Sequence, residues 1–336
     1  MMRAPGFWWN SPGFVSALLA PFAAIYGDIA AARMRRPGER ASVPVICVGN
    51  PTLGGAGKTP AALAIAHLLQ AEGEQPFFIS RGYGGRETGP LRVDSDRHDA
   101  REVGDEPLLL AHAFPTVVAR DRVAGAKLAA EQGASAVVLD DGFQNPALHK
   151  DLALLVVDGA SGIGNGRVLP AGPLRAPLSP QLKLAHRLVR VGAGAAGETV
   201  ARIAAAMAVP LLDARLVPES AAAASLSGRT VLAFAGIGHP GKFFTTLAET
   251  GAELAECRAF ADHHFYSADD ARSLLETARA RKLLLVTTEK DLVRMKGDPA
   301  LAELAKSARA LPVRLKFDDD MAVRALLKRV LAGARG

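Results

Sequence analysis

Covalent staples are nearly absent from this chain: its two cysteines, Cys47 and Cys257, lie far apart in the sequence. That excludes a disulfide framework and a cysteine metal site, and it suits a reducing compartment. Cys47 stands inside an apolar run and reads as a core residue. Aromatic residues are scarce, 5% against 49% hydrophobic overall, which is the composition of a soluble α/β protein rather than a fibrous or disordered one. No apolar stretch reaches the roughly 20 residues of a spanning helix. The nearest candidate, Phe14–Tyr26, follows Pro12 and contains Pro21. A signal peptide fits poorly, because its positive charges would precede the apolar run, whereas Arg33, Arg35, Arg36 and Arg40 follow it. Two readings remain for this segment: a helix packed on the body, or a monotopic anchor in a membrane interface. Phe7, Trp8, Trp9 and the trailing arginines suit an interface.

Acidic residues are outnumbered. The net charge of +6 favours a polyanionic partner, whether nucleotide, nucleic acid or anionic membrane, without choosing among them. A chain of 336 residues has room for one large or two medium domains. There is no internal sequence repeat.

From Val43 onward apolar runs alternate with helical patterns, as in parallel β-α-β units. Strands are predicted at Val43–Val48, Pro76–Ser80, Thr116–Ala119, Ala136–Leu139 and Leu152–Val157. Helices are predicted at Thr59–Ala71, Asp105–Ala113 and Val123–Gln132. The Gly- and Pro-rich stretch Gly159–Pro180 is too long for a simple connector and reads as a functional loop or lid. An Ala/Ser run at Pro218–Ser227 marks the expected domain boundary. Beyond it come strand Thr230–Ala235, helix Gly241–Thr250, strand Glu253–Phe260, helix Ala268–Ala280 and strand Leu283–Thr287. A strand near Val313–Phe317 and helix Met321–Ala332 close the chain. The expected division is therefore an N-terminal segment at 1–27, a first α/β domain at 28–217 and a second, smaller one at 218–336.

The strongest chemical signal is Thr52-Leu53-Gly54-Gly55-Ala56-Gly57-Lys58-Thr59, between a strand and a helix. Glycines let backbone N–H groups approach phosphate oxygens, and the helix N-terminus adds a positive dipole end. Lys58 would neutralise the β- and γ-phosphates of ATP, and the Thr59 hydroxyl would bind Mg²⁺. Thr52 occupies the position where such loops usually carry their first glycine. Asp140 and Asp141, ending the apolar run Ala136–Leu139, have the form of a Walker B segment that holds Mg²⁺ or its waters. An ordinary Asp-Gly turn would look the same.

Other candidates are weaker alone. Asp105 and Glu106 read as a helix cap or as catalytic carboxylates. Asp262-His263-His264 reads as acid–base machinery, metal ligands or a polar turn. Arg81, Arg120 and Arg122 could clamp an anionic substrate or form surface ion pairs.

Taken together, these segments resemble the tetraacyldisaccharide 4'-kinase family, LpxK, over nearly the whole chain. The resemblance rests on Gly54-Gly55-Ala56-Gly57-Lys58-Thr59-Pro60, Ser80-Arg81-Gly82-Tyr83-Gly84 and Val103-Gly104-Asp105-Glu106-Pro107. It extends through Leu139-Asp140-Asp141-Gly142-Phe143-Gln144, Gly164-Asn165-Gly166, Pro170-Ala171-Gly172-Pro173-Leu174-Arg175, Asp262-His263-His264 and Thr288-Glu289-Lys290-Asp291. It implies an ATP- and Mg²⁺-dependent kinase of lipid A biosynthesis that phosphorylates the 4'-hydroxyl of an acylated glucosamine disaccharide 1-phosphate. The implied fold is a P-loop parallel-sheet domain, a second α/β domain closing the cleft, and an N-terminal helix docked on the cytoplasmic face of the bacterial inner membrane.

The resemblance also assigns residues. Asp105 and His263 become the catalytic pair, with Asp105 expected to take the proton and His263 to orient it; the opposite assignment, with His263 as base, is the nearer rival and stays open. Lys58 joins them at the nucleotide. Arg81, Arg120, Arg122, Gln144 and Asn145 are expected at the lipid substrate, and Thr59, Asp140 and Asp141 at the metal. Two positions depart from the family pattern: Asn145 replaces His, and Ala176 replaces Glu. No nucleic acid and no obligate protein partner are expected. The competing reading, a P-loop GTPase or ATPase serving as a metallochaperone or regulator, requires a correctly spaced guanine motif or a Cys-rich site, and the chain has neither.

Overall fold

Residues 5–335 are described by the structure, a computed structural model; the first four residues of the expected N-terminal segment lie outside them. Among the described residues thirteen strands occur, in chain order β1 Val45–Gly49, β2 Pro76–Ser80, β3 Leu91–Arg92, β4 Thr116–Val118, β5 Ala136–Asp140, β6 Leu152–Asp158 and β7 Arg187–Val191. They continue with β8 Leu211–Pro218, β9 Thr230–Ala235, β10 Glu253–Ala259, β11 Leu284–Thr287, β12 Arg309–Ala310 and β13 Val313–Phe317. The helices are α1 Phe14–Leu18, α2 Ala20–Met34, α3 Lys58–Ala71, α4 Ala100–Val103, α5 Asp105–Ala111, α6 Arg122–Glu131 and α7 Leu178–Leu184. After these come α8 Ala195–Ala206, α9 Ser220–Leu226, α10 Pro240–Glu249, α11 Ala268–Ala280, α12 Glu289–Met295, α13 Ala302–Ser307 and α14 Asp320–Arg335.

Two sheets form. The large one has the order β13-β8-β7-β6-β1-β5-β2-β4-β3, parallel except for its edge strands β13 and β3. Strands β1, β2, β5 and β6 are buried along their whole length, because helices cover both faces; hence they read as continuous apolar runs rather than alternating ones. One face packs Ile65 and Leu69 of α3 with Leu327 of α14, and the other packs Met34, Ala126 and Val200. The small sheet, β10-β9-β11-β12, is all parallel and carries its own core around Phe234 and Leu274.

The expected boundaries need correction in three places. Residue 27 falls inside α2, which continues to Met34. Strand β13, expected in the second unit, pairs antiparallel with β8 and belongs to the large sheet. Helix α14 follows it there, with Val323 and Leu331 in the core around α3. Strands β7 and β8 and helix α8 were not foreseen. β7, Arg-Leu-Val-Arg-Val, is too short to show a period, and the Gly/Ala-rich start of α8 reads as a breaker.

Candidate active site

Parallel sheets gather their chemistry at the C-terminal ends of their strands, and here two such edges face each other. From the large sheet, β1 runs into the phosphate loop and β5 delivers Asp140 and Asp141. Loops after β4 and β6 flank them, with Asp105 at the start of α5. From the small sheet, the segment after β9 carries Gly236 and Gly238, the turn after β10 carries His263, and α12 follows β11. The edges touch: a Cβ on Gly238 would stand 3.6 Å from the Gly55 amide nitrogen and 3.3 Å from Asp262 Oδ2. Lys242, on α10, forms an ion pair with Asp158 at the end of β6.

The phosphate loop takes its shape from glycines where a side chain would be strained. Gly54 and Gly57 have φ of 107° and 83°, a region L-residues rarely adopt. Gly57 caps α3, whose first residues are Lys58, Thr59 and Pro60; proline is suited there because the first turn lacks N–H partners. Thr52 and Ala56 are buried, Leu53 and Gly57 partly so, and Gly54 and Gly55 are exposed. Thr52 is tied down, its carbonyl accepting from Arg175 Nε at 3.0 Å.

Lys58 Nζ lies 3.4 Å from Asp141 Oδ2, which Arg175 also contacts at 3.0 Å. Burial opposes ionisation of Asp141, but Lys58 and Arg175 outweigh it and hold the carboxyl below the usual range. Thr59 Oγ1 lies 3.2 Å from Asp140 Oδ2. Asp140 is pushed up to about 7, first by burial and then by the charge of Glu106. Its Oδ1 and that of Asp141 are buried without partners, a loss of about 1–3 kcal/mol each when left so. Two carboxylates and a hydroxyl are hard oxygen donors of the kind that bind Mg²⁺ together with substrate phosphates, so these residues fit that ion.

Asp105 and His263, 158 positions apart, meet: His263 Nδ1 is 2.9 Å from Asp105 Oδ2. The same oxygen accepts from Arg294 Nε at 2.7 Å. Burial favours the neutral acid, yet the His263 hydrogen bond and the charges of Arg294 and Lys290 hold Asp105 far below the carboxylate range. The Asp105 hydrogen bond in turn raises the His263 imidazole against its burial. His263 and Asp141 both have left-handed backbones, φ 55° and 60°. Such conformations cost roughly 1–3 kcal/mol and collect at functional sites. Lys290 Nζ donates to Glu106 Oε1 at 2.8 Å, which holds that carboxyl low despite its burial.

The paired histidines separate. His264 Nε2 lies 3.0 Å from Asp270 Oδ2 at the start of α11, and among the described residues no group of three or more His, Cys, Asp or Glu could hold a metal. Asp262-His263-His264 is thus not a metal cluster.

The arginines and amides expected at the substrate divide. Arg81 and Arg120 are exposed. Arg122 is buried, donating to the Ala119 carbonyl, with its Nε unpartnered. Gln144 Nε2 donates to Asn50 O at 2.8 Å and Gln181 Oε1 at 2.9 Å. Asn145 Oδ1 accepts from Ala147 N at 2.9 Å. Both amides therefore brace loops. Ala176 is fully buried in the core and presents no polar group. Arg294 and Arg175 carried no expected role. Arg175 closes a quoted motif, whereas nothing in the pattern around Arg294 signals a partner 189 positions away.

The model of the family described as tetraacyldisaccharide-1-P 4'-kinase, LpxK, matches residues 15–332. A tetraacyldisaccharide 4'-kinase of Rhodopseudomonas palustris is 54% identical, covering 99% of this chain and 97% of its own length. One from a Methylobacterium species is 55% identical over 100% of both. The crystal structure of LpxK from Aquifex aeolicus in complex with ATP superposes with a TM-score of 0.73 at 27% identity, covering 95% of this chain and 100% of that one. Phosphate loop, acidic strand end and Asp–His pair thus sit in a chain whose full length matches these kinases. The chain belongs to the tetraacyldisaccharide-1-P 4'-kinase family, LpxK.

Proposed function

We propose that this site transfers the γ-phosphoryl group of ATP to the 4'-hydroxyl of a tetraacylated glucosamine disaccharide 1-phosphate, giving lipid IVA. The observation that carries the reading is the meeting of the two sheet edges: the His263 turn adjoins the loop at Gly238, which lies against the phosphate loop. A hydroxyl acceptor bound there faces both a phosphoryl donor and a base.

The phosphate-loop amides and Lys58 hold the triphosphate, Lys58 leaving Asp141 for phosphate oxygens. Thr59, Asp140 and Asp141 would hold Mg²⁺, which would supply charge neutralisation to the triphosphate. The sugar O4' bonds to the γ-phosphorus as the bond to the bridging oxygen breaks, and ADP leaves. The hydroxyl proton goes to His263 rather than to Asp105, the reverse of the order expected from the sequence. Asp105 already has its Oδ2 occupied by His263 and Arg294 and is held anionic, so it is a weak base. His263 turns Nδ1 to Asp105, leaving Nε2, 3.9 Å from Asp262 Oδ1, free to accept the proton. Asp105 then stabilises the imidazolium.

The N-terminal segment serves the lipid. Phe14, Leu18, Phe22, Ile25 and Ile29, spaced four, four, three and four apart, are 63–83% exposed, one apolar stripe along α1 and α2. Small residues Ala23, Gly27 and Ala31 face inward. No helix among the described residues is long and apolar enough to cross a membrane; the stripe suits a helix lying in the interface, with Arg33, Arg35, Arg36 and Arg40 near anionic headgroups. This docks the cleft on the cytoplasmic face of the inner membrane. Residues 219–312 act as the second unit that closes it.

A kinase assay with disaccharide 1-phosphate and ATP in detergent, comparing wild type with Lys58→Ala, tests the reading. The variant is expected to lose on the order of 10²–10³ in kcat. Absence of product from the wild type, or full turnover by the variant, overturns it.

A further inference from the structure

Arg294 has no task in the reaction as written, yet it is among the most deeply held charges in the molecule. Its side chain is 1% exposed, against 5% for Asp105. Nε donates to Asp105 Oδ2 at 2.7 Å, the oxygen that His263 Nδ1 also approaches. NH1 donates to Asp291 Oδ1 at 2.9 Å and to the Gly236 carbonyl. That carbonyl also accepts from the His263 amide at 3.1 Å. One guanidinium therefore touches both the carboxylate that orients the imidazole and the peptide that sets the His263 backbone. Asp291 anchors it from the far side, accepting as well from the Gly236 amide at 3.0 Å and the Tyr266 hydroxyl at 2.9 Å.

A carboxylate with an imidazole as its sole cationic partner favours the imidazolium, and an imidazolium has no lone pair for a hydroxyl proton. A base working near neutrality needs a milder neighbour. Arginine is suited to provide this, because it stays charged throughout the working range and its fork fixes geometry as well as charge. Resting on the reading of His263 as base, we propose that Arg294 is a positioning residue for the reaction. By sharing Oδ2 of Asp105 with His263, it fixes the carboxylate and takes up part of its charge, so that the imidazole is oriented without being locked in its protonated form.

The other groups facing the pair fit this division. Asp262, on the His263 turn, adds negative charge, and Lys290, on α12, adds positive charge. Lys290 is itself committed to Glu106. The Tyr83 ring, from the loop after β2, lies 5.7 Å from the imidazole. Arg294 is thus the cation bonded directly to the shared oxygen.

The test is the pH dependence of kcat for wild type, His263→Ala, Arg294→Gln and Arg294→Lys, with folding of each checked by circular dichroism. In wild type the acid limb reports protonation of His263. With Arg294→Gln, Asp105 loses its second cation and the imidazole gains proton affinity. The limb should then move up by about 1 pH unit, with turnover falling roughly tenfold at neutral pH and recovering in alkali. Arg294→Lys keeps the charge but loses the fork, so it should show a smaller shift of the same sign; if the glutamine variant does not fold, this variant decides. A uniform loss at every pH, with the limb unmoved, makes Arg294 a mere interface brace and overturns the proposal. If His263→Ala keeps the wild-type limb, the base assignment itself falls and Arg294 falls with it. A limb abolished in His263→Ala but unmoved in both Arg294 variants sinks the Arg294 role alone.

Discussion

At the scale of single residues, the site works through charges that share partners. Asp105 Oδ2 serves His263 and Arg294, and Asp141 Oδ2 serves Lys58 and Arg175. Groups coupled this closely act as units, so their removal should be non-additive. Loss of a general base generally costs about 10²–10⁴ in rate, and His263→Ala is expected within that range. Asp105→Ala should lower kcat and also move the acid limb down in pH, because the Asp105 hydrogen bond is what raises the imidazole. This is opposite in sign to the shift expected for Arg294→Gln. The double variant should be little worse than His263→Ala. Losses that multiply across the three kcat values would separate the residues and remove the pair.

The elements that matter most are those whose surfaces depart from the usual pattern. Helix α2 hides small residues and displays large apolar ones, the inverse of a helix packed on a soluble body. Its orientation is set by neighbours. Trp8 Nε1 donates to Pro170 O at 3.0 Å and Ser16 Oγ to Ala171 O at 2.8 Å, while Gly27 approaches Pro177 closely. Trp8 is therefore a buried anchor to the body, not one of the interface aromatics it was expected to be. The loop that receives these contacts continues to Arg175, which reaches the phosphate loop. Gly159–Pro180 thus joins the N-terminal segment to the nucleotide site. Deleting the segment would uncover this packing. Charging its outer face is the cleaner test, with Ile25→Glu and Ile29→Glu together expected to release the protein from anionic vesicles. The apparent KM for lipid should rise while that for ATP changes little. Unchanged cosedimentation would place the anchor elsewhere.

For the molecule as a whole, the two sheets are held together by buried and half-buried ion pairs: Arg294 with Asp105, Lys290 with Glu106, and Lys242 with Asp158. The carboxyls of Asp105, Glu106 and Asp158 are all held below their ordinary values in the folded state. Their contribution to stability is therefore full above the unfolded values, near pH 4, and is lost as pH falls through the lower folded ones. The Tm of the wild type should fall progressively as pH drops below about 4 and on through the lower folded values. In Asp105→Asn, which no longer has that proton to take up, the drop should be shallower. Parallel curves for the two proteins would show that Asp105 contributes nothing to the pH dependence.

Much of this was legible along the chain. The phosphate loop announces itself because nearby residues share one backbone turn, and Asp140 and Asp141 because a buried parallel strand must end in something polar at its edge. The central strands were visible as apolar runs for the same reason, burial on both faces. Short elements such as β7 and β8 were not, since five to eight residues of mixed character carry no resolvable period. The return of β13 to the first sheet was also hidden, because strand pairing depends on which edge stands open in space rather than on position in the chain. The sequence by itself, read with its resemblance, determined the nucleotide loop, the acidic strand end and the identity of Asp105 and His263 as partners. Only the tertiary structure decided that Arg294 joins them and which face of α2 is left uncovered. Each of these depends on charges and surfaces brought together from distant segments, and the strength of such interactions is set by burial and distance that no local pattern records.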